Sequence, residues 1–107
     1  ICLHEDDDSN LHEMYMFHSK PTNVGPLKQN TFENISYHII EGALEIESVE
    51  ENKTKSVLLQ STNEQGVGSL SYRLNASKYR IVKSISNFCI FLEINNGPFK
   101  NDDTIWK

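Results

Sequence analysis

Four histidines, two cysteines and a scatter of serines are the side chains through which this 107-residue chain could do chemistry. A metal centre needs imidazoles or carboxylates that converge on one point. His4, His12, His18 and His38 include no His-x-His pair and no two at ligand spacing, so each reads as a surface or hydrogen-bonded histidine. Cys2 and Cys89 form no Cys-x-x-Cys motif, and two free thiols are expected. Cys89 could act as a nucleophile only if a histidine and a pocket met it; inside a strand it reads as a small core residue. No serine sits in a glycine-flanked elbow. Gly66-Val67-Gly68 is too short for a phosphate loop and precedes a strand. The acidic run Glu5-Asp6-Asp7-Asp8 lacks the glycine-containing spacing of a calcium loop and reads as solvated. The sequons Asn34-Ile35-Ser36, Asn52-Lys53-Thr54 and Asn75-Ala76-Ser77 are the triplets that an Asn- and Ser-rich chain produces by chance.

Bulk properties narrow the classes. The length suits one domain over residues 1–107. Hydrophobic content is 37% and charged content 23%, as in an ordinary soluble domain. A net charge of -5 argues against nucleic acid or an anionic membrane as partner. No apolar run approaches the length a bilayer requires, and no stretch resembles a signal peptide, so no membrane insertion and a cytoplasmic location are expected. The chain starts at Ile1 rather than Met, so a short upstream piece is expected to be missing.

The elements that must position any site are strands. Ser36 to Glu47 alternates on both sides of Glu41-Gly42, which predicts strand, tight turn, strand, hence a hairpin. Leu11–Ser19 predicts a strand. Lys20 to Pro26 holds two prolines and a glycine and predicts a loop, with an irregular polar stretch to Asn34. Ser48 to Lys55 predicts an exposed turn. Strands are predicted at 56–60, 69–74, 79–84 and 88–94, and Trp106 in the tail is expected to fold back on the body. Seven or more short strands without a helix predict an all-β antiparallel sandwich or barrel. A barrel interior would leave room for one small molecule.

Five pieces in order resemble one family. They are Ile1-Cys2-Leu3-His4, Leu11-His12-Glu13-Met14, Tyr37-His38-Ile39-Ile40-Glu41-Gly42, Tyr72-Arg73-Leu74-Asn75-Ala76 and Glu93-Ile94-Asn95-Asn96-Gly97-Pro98-Phe99, followed by Asp103-Thr104-Ile105-Trp106. Together they are similar to the WbuC-type cupin-fold metalloproteins of bacterial O-antigen and capsular polysaccharide clusters. The resemblance implies a small jelly-roll β-barrel with a metal held by a His-x-His, a Glu and a later His. This chain departs at each place. Pro26-Leu27-Lys28-Gln29 stands where Pro-His-x-His is expected, Ile35 where the Glu is expected, and Arg80 where the late His is expected. Leu and Ile cannot bind a divalent metal, and Arg is a fixed cation that repels one.

The resemblance therefore implies a degenerate, metal-free cupin without a cofactor. Its pocket would be lined by Leu27, Gln29, Ile35, Tyr37 and Arg80, with Leu27 and Ile35 filling the former metal position. Arg80 would favour an anion, such as a sugar carboxylate or a nucleotide-sugar phosphate. The expected ligand is a saccharide or nucleotide-sugar, and the expected assembly a homodimer. Two other readings stand beside it. One is a nucleotide-sugar isomerase or epimerase with His or Tyr as acid and base, which a histidine facing into the barrel beside a tyrosine would favour. The other is a secreted β-sandwich glycoprotein, which glycan or a Cys2–Cys89 disulfide would favour.

Overall fold

The computed structural model describes residues 1–6, 8–29, 34–50, 53–61, 68–96 and 104–107. Among these residues it is all-β, with nine strands in two antiparallel sheets. The strands are β1 (Leu11–His18), β2 (Thr22–Gln29), β3 (Asn34–Glu41), β4 (Ala43–Glu50), β5 (Lys53–Gln60), β6 (Ser71–Asn75), β7 (Arg80–Ser84), β8 (Cys89–Asn96) and β9 (Thr104–Trp106). One sheet runs β1-β8-β3-β6, the other β5-β4-β7-β2-β9. The core between them is built from Ile35, Tyr37, Ile39, Leu44, Ile46, Leu59, Leu74, Val82, Cys89 and Phe91. Among the described residues, no helix is long and apolar enough to cross a membrane.

The Ser36–Glu47 stretch is not a hairpin. β3 pairs with β6 and β8, whereas β4 pairs with β5 and β7. Gly42 is a corner at which the chain leaves one sheet for the other. The predicted alternation holds on both sides, with Ile35, Tyr37 and Ile39 and then Leu44 and Ile46 all turned to the core. A corner preserves the in/out pattern as well as a hairpin does, so the pattern cannot tell them apart. Polar groups hold the corner: Ser61 Oγ accepts from Gly42 N–H at 3.0 Å, and Ser86 Oγ accepts from Ala43 N–H at 3.1 Å.

The predicted loop at 20–26 is also corrected. Thr22–Gln29 is a strand, paired with β7 and β9. Its register shifts between Val24 and Leu27, around a cis Gly25-Pro26 peptide and a Gly25 φ of 117°. Proline has no N–H for a ladder and is tolerated at such a bulge. The extra residue resets the phase, so Val24, Leu27 and Gln29 all face inward. Without it, one of these sets would face solvent.

The predicted turn at 48–55 is largely strand, since β4 and β5 pair from Ala43↔Gln60 to Glu50↔Lys53; residues 51–52 lie outside the described set. In β8, the inward residues are Cys89, Phe91, Glu93 and Asn95; Ile90, Leu92 and Ile94 face outward, half-buried. β9 does fold back, onto β2, but the Trp106 ring remains exposed. The sheets are tied at one margin by Ser69-Leu70, which bonds to Leu58 and Gln60 of β5 and to Ile39 of β3.

Cys2 and Cys89 are both free thiols. Burial raises the Cys89 thiol to about 11, so it carries almost no thiolate at neutral pH. Alkylation of the native protein at pH 8 is expected to modify exposed Cys2 within minutes and to leave Cys89 intact until the fold is denatured. Mass spectrometry after timed iodoacetamide treatment reads this directly; equal labelling rates would contradict the assigned burial.

Candidate functional site

The inner faces of five strands enclose a cavity of about 80 Å³. β1 supplies Met16 and His18, β2 supplies Val24, Leu27 and Gln29, and β3 supplies Tyr37. β7 adds Arg80 and Val82, and β8 adds Phe91 and Glu93. Each side chain reaches it by strand alternation, and the β2 bulge brings Leu27 and Gln29 into line.

Arg80 is the centre of the site. It is 1% exposed, and β7 turns it inward with Val82 and Ser84. Its Nε donates to Tyr37 Oη at 2.7 Å, and its guanidinium lies 6.0 Å from the centre of the Tyr37 ring. One terminal nitrogen, Nη1, is buried without a hydrogen-bond partner. Gln29, 6% exposed, shows the converse: its Nε2 donates to Thr104 Oγ1 at 3.4 Å, while its buried Oε1 has no partner. A buried donor and a buried acceptor, both unanswered, thus belong to two residues of one cavity wall. Orphaned buried polar atoms each cost about 1–3 kcal/mol, and proteins keep them mainly where a ligand or water answers them.

The acid–base groups are tuned by burial. Glu93 is held above the usual carboxylate range chiefly by desolvation, with the Arg80 charge and the Asn95 amide pulling the other way. Arg80 and Glu93 form no direct ion pair. Burial also pushes the Tyr37 hydroxyl far above the ordinary tyrosine value, helped by the Glu93 charge and opposed by Arg80. His18 is lowered by burial, which favours its neutral form. Its Nδ1 shares a 2.8 Å hydrogen bond with Ser84 Oγ, and its ring meets Phe91 edge-on at 5.4 Å.

Of the residues expected in the pocket, Leu27, Gln29, Tyr37 and Arg80 lie on the cavity wall. Ile35 does not: it is fully buried in the core, opposite Leu74 and Asn95 in the ladder. His38 points to the outer face, with Nε2 3.3 Å from Ser36 Oγ. Among the cavity residues missed from sequence are two titratable ones, His18 and Glu93. Both carried a signal. His18 is in phase with Met14 and Met16, and Glu93 is a lone carboxylate two residues beyond Phe91 in the most apolar strand.

A divalent metal is the group that the family resemblance implies. The cavity offers one imidazole, one carboxylate and one amide oxygen, set beside a fixed guanidinium. Among the described residues, no three His, Cys, Asp or Glu side chains converge at metal-binding distance. These residues do not fit a divalent-metal centre.

Comparison with known proteins agrees with the geometry at the level of fold. No family model matches the chain, and no curated protein sequence does. Solved structures match well. QdtA, a sugar 3,4-ketoisomerase from Thermoanaerobacterium thermosaccharolyticum solved with TDP, superposes with a TM-score of 0.70 at 14% identity, over 87% of this chain and 64% of that one. WlaRA, a TDP-fucose-3,4-ketoisomerase from Campylobacter jejuni, gives 0.71 at 12%, over 89% and 66%. CapF, a capsular polysaccharide assembling protein from Staphylococcus aureus, gives 0.71 at 11%, over 99% and 32%. The chain therefore has the cupin fold, and it spans just under two thirds of the length of the two ketoisomerases it resembles.

Proposed function

We propose that the chain is a metal-free, WbuC-type cupin domain that binds a saccharide or nucleotide-sugar as an accessory protein of bacterial surface polysaccharide biosynthesis in the cytoplasm. The observation that carries this reading is the buried Arg80 on the cavity wall, pinned by Tyr37, with its Nη1 unanswered. A buried guanidinium there is a ready partner for an anionic group. The sugar-linked names of QdtA, WlaRA and CapF support the ligand class. Calorimetric titration with TDP-glucose, UDP-glucose and free sugars tests it: saturable binding to at least one is expected, and none with the protein folded would overturn it. Elemental analysis of protein purified without chelator is expected to find well under one equivalent of zinc, iron, nickel or manganese; one equivalent would contradict the metal-free assignment.

An isomerase or epimerase reading has one observation of its own. His18 and Tyr37 share the cavity, one on each side of Phe91. A neutral imidazole and an un-ionised phenol could move a proton to and from a sugar carbon beside a carbonyl. Deuterium wash-in from D₂O into a keto-sugar nucleotide would select this reading, and its absence on a ligand that binds would select binding alone.

The homodimer belongs to the same proposal. The outer face of the β1-β8-β3-β6 sheet carries Tyr15, Phe17, Ile40, Ile90 and Leu92, an apolar patch of the kind that marks an interface. One ladder row across it reads Glu13, Ile94, Ser36, Arg73, from one margin to the other. Neither Glu13 nor Arg73 takes an ion-pair partner among the described residues. A two-fold axis along the strands, between β8 and β3, lays Glu13 of each copy against Arg73 of the other. The face is self-complementary in charge as well as apolar. Glu13→Arg is expected to weaken the dimer at least tenfold, and adding Arg73→Glu to restore it, in sedimentation at micromolar concentration. A wild type that stays monomeric, or a double variant no better than the single, would overturn this arrangement.

A further inference from the structure

The proposal above leaves open which anionic group enters the cavity. We infer that it is a carboxylate with a hydroxyl close by, the edge that a uronic acid presents with its C6 carboxylate and C4 hydroxyl. This rests on the saccharide-binding reading and narrows it.

Three observations point there. The cavity, about 80 Å³, has room for a few heavy atoms and not for a nucleotide, so only the head of a ligand is engulfed. The unanswered atoms are complementary to such a head. Arg80 Nη1 is a donor that a carboxylate oxygen accepts from, and Gln29 Oε1 is an acceptor that a hydroxyl donates to. Among the described residues, Arg80 is also the one cation on the cavity wall, and a carboxylate, Glu93, lines it from β8. A phosphate dianion needs several donors. A carboxylate monoanion needs only two donors, which Arg80 Nη1 and a protonated Glu93 supply.

Among the described residues, the charged or titratable groups on the cavity wall beside Glu93 are Arg80, Tyr37 and His18. Arg80 on β7 stays cationic. Tyr37 on β3 and His18 on β1 are both shifted toward their neutral forms by burial. Glu93 is then the group that titrates, with a range raised by desolvation. Affinity is expected to be highest where Glu93 is protonated. It falls as the pH rises through that raised range, because an ionised Glu93 repels the ligand. Glu93→Gln keeps a donor that cannot ionise, so its affinity is expected to be flat with pH.

The experiment is calorimetric titration of the full chain with D-glucuronate, D-glucose, glucose 1-phosphate and TDP-glucose at pH 5 and pH 8. Glucuronate is expected to bind at least tenfold more tightly than glucose or glucose 1-phosphate at pH 5. It should weaken at pH 8 in the wild type but not in Glu93→Gln. Glucose 1-phosphate or TDP-glucose binding as tightly as glucuronate would overturn the carboxylate and leave saccharide binding standing. A glucuronate preference with no pH dependence would overturn the role of Glu93 as its second donor. No binding of any of the four to folded protein would overturn both inferences.

Discussion

The double variant Arg80→Met, Tyr37→Phe is expected to melt at a higher temperature than the wild type and to bind no ligand. Arg80 is buried with Nη1 unpartnered, and among the described residues its side chain's one hydrogen bond goes to Tyr37. Desolvating a guanidinium costs several kcal/mol, and one hydrogen bond offsets only part of that. Replacing a buried polar pair by apolar residues of similar volume is commonly neutral or stabilising, by about 1–4 kcal/mol. At about 2.5 kcal/mol, the middle of that range, the melting temperature of a chain this size should rise by roughly 10–20 °C. Changing only one partner is worse. Arg80→Met alone orphans the Tyr37 hydroxyl, at about 1–3 kcal/mol, and Tyr37→Phe alone frees a second guanidinium nitrogen. Scanning calorimetry on the four proteins reads the coupling, and a double variant less stable than either single one would show that Arg80 is structural rather than held for a ligand.

The other large effect is expected at the sheet-switching corner. Gly42 has a φ of +90°, a region L-residues rarely occupy, and a Cβ there would lie 2.3 Å from the Phe88 carbonyl oxygen and 2.5 Å from Ser86 Oγ. The serine can rotate; the carbonyl belongs to the backbone entering β8 and cannot give way cheaply. Backbone strain of about 1–2 kcal/mol plus the clash puts Gly42→Ala at roughly 3–5 kcal/mol of destabilisation. That is a fall in melting temperature of the order of 15–30 °C. Urea denaturation at 25 °C checks it, and a loss under 1 kcal/mol would mean the corner is looser than described. Because Gly42 joins β3, which carries Tyr37, to β4, ligand binding should fail together with the fold.

The same corner shows what could and could not be read from sequence. Alternation around Gly42 located two strands and their inward residues, because burial on one face imposes period two. It could not identify their partners, since β3 meets β6 and β8, and β4 meets β5 and β7, at long separation. The Gly25-Pro26 bulge hid β2, because residues that break a regular strand are the same ones that build a bulge. In β8 the apolar residues on both faces concealed which one pointed inward. The inner face is the more polar, with Glu93 and Asn95. The cavity positions of Leu27, Gln29, Tyr37 and Arg80 were legible through the family pattern rather than through propensity. Ile35 followed the same pattern but lies two residues along β3 from Tyr37, beneath Leu74, where the core closes over it. His18 and Glu93 escaped because no motif holds them; strand phase and the fold bring them to the cavity.

In the proposed function, ligand recognition rests on a fixed organic cation, Arg80, and not on a metal. Binding isotherms for D-glucuronate and TDP-glucose, measured on protein before and after exhaustive EDTA treatment, test it most directly. The predicted result is one affinity for whichever ligand binds, unchanged by chelation and by added zinc or manganese, and absent in Arg80→Met, Tyr37→Phe. Binding that disappears on chelation and returns with the metal would contradict it.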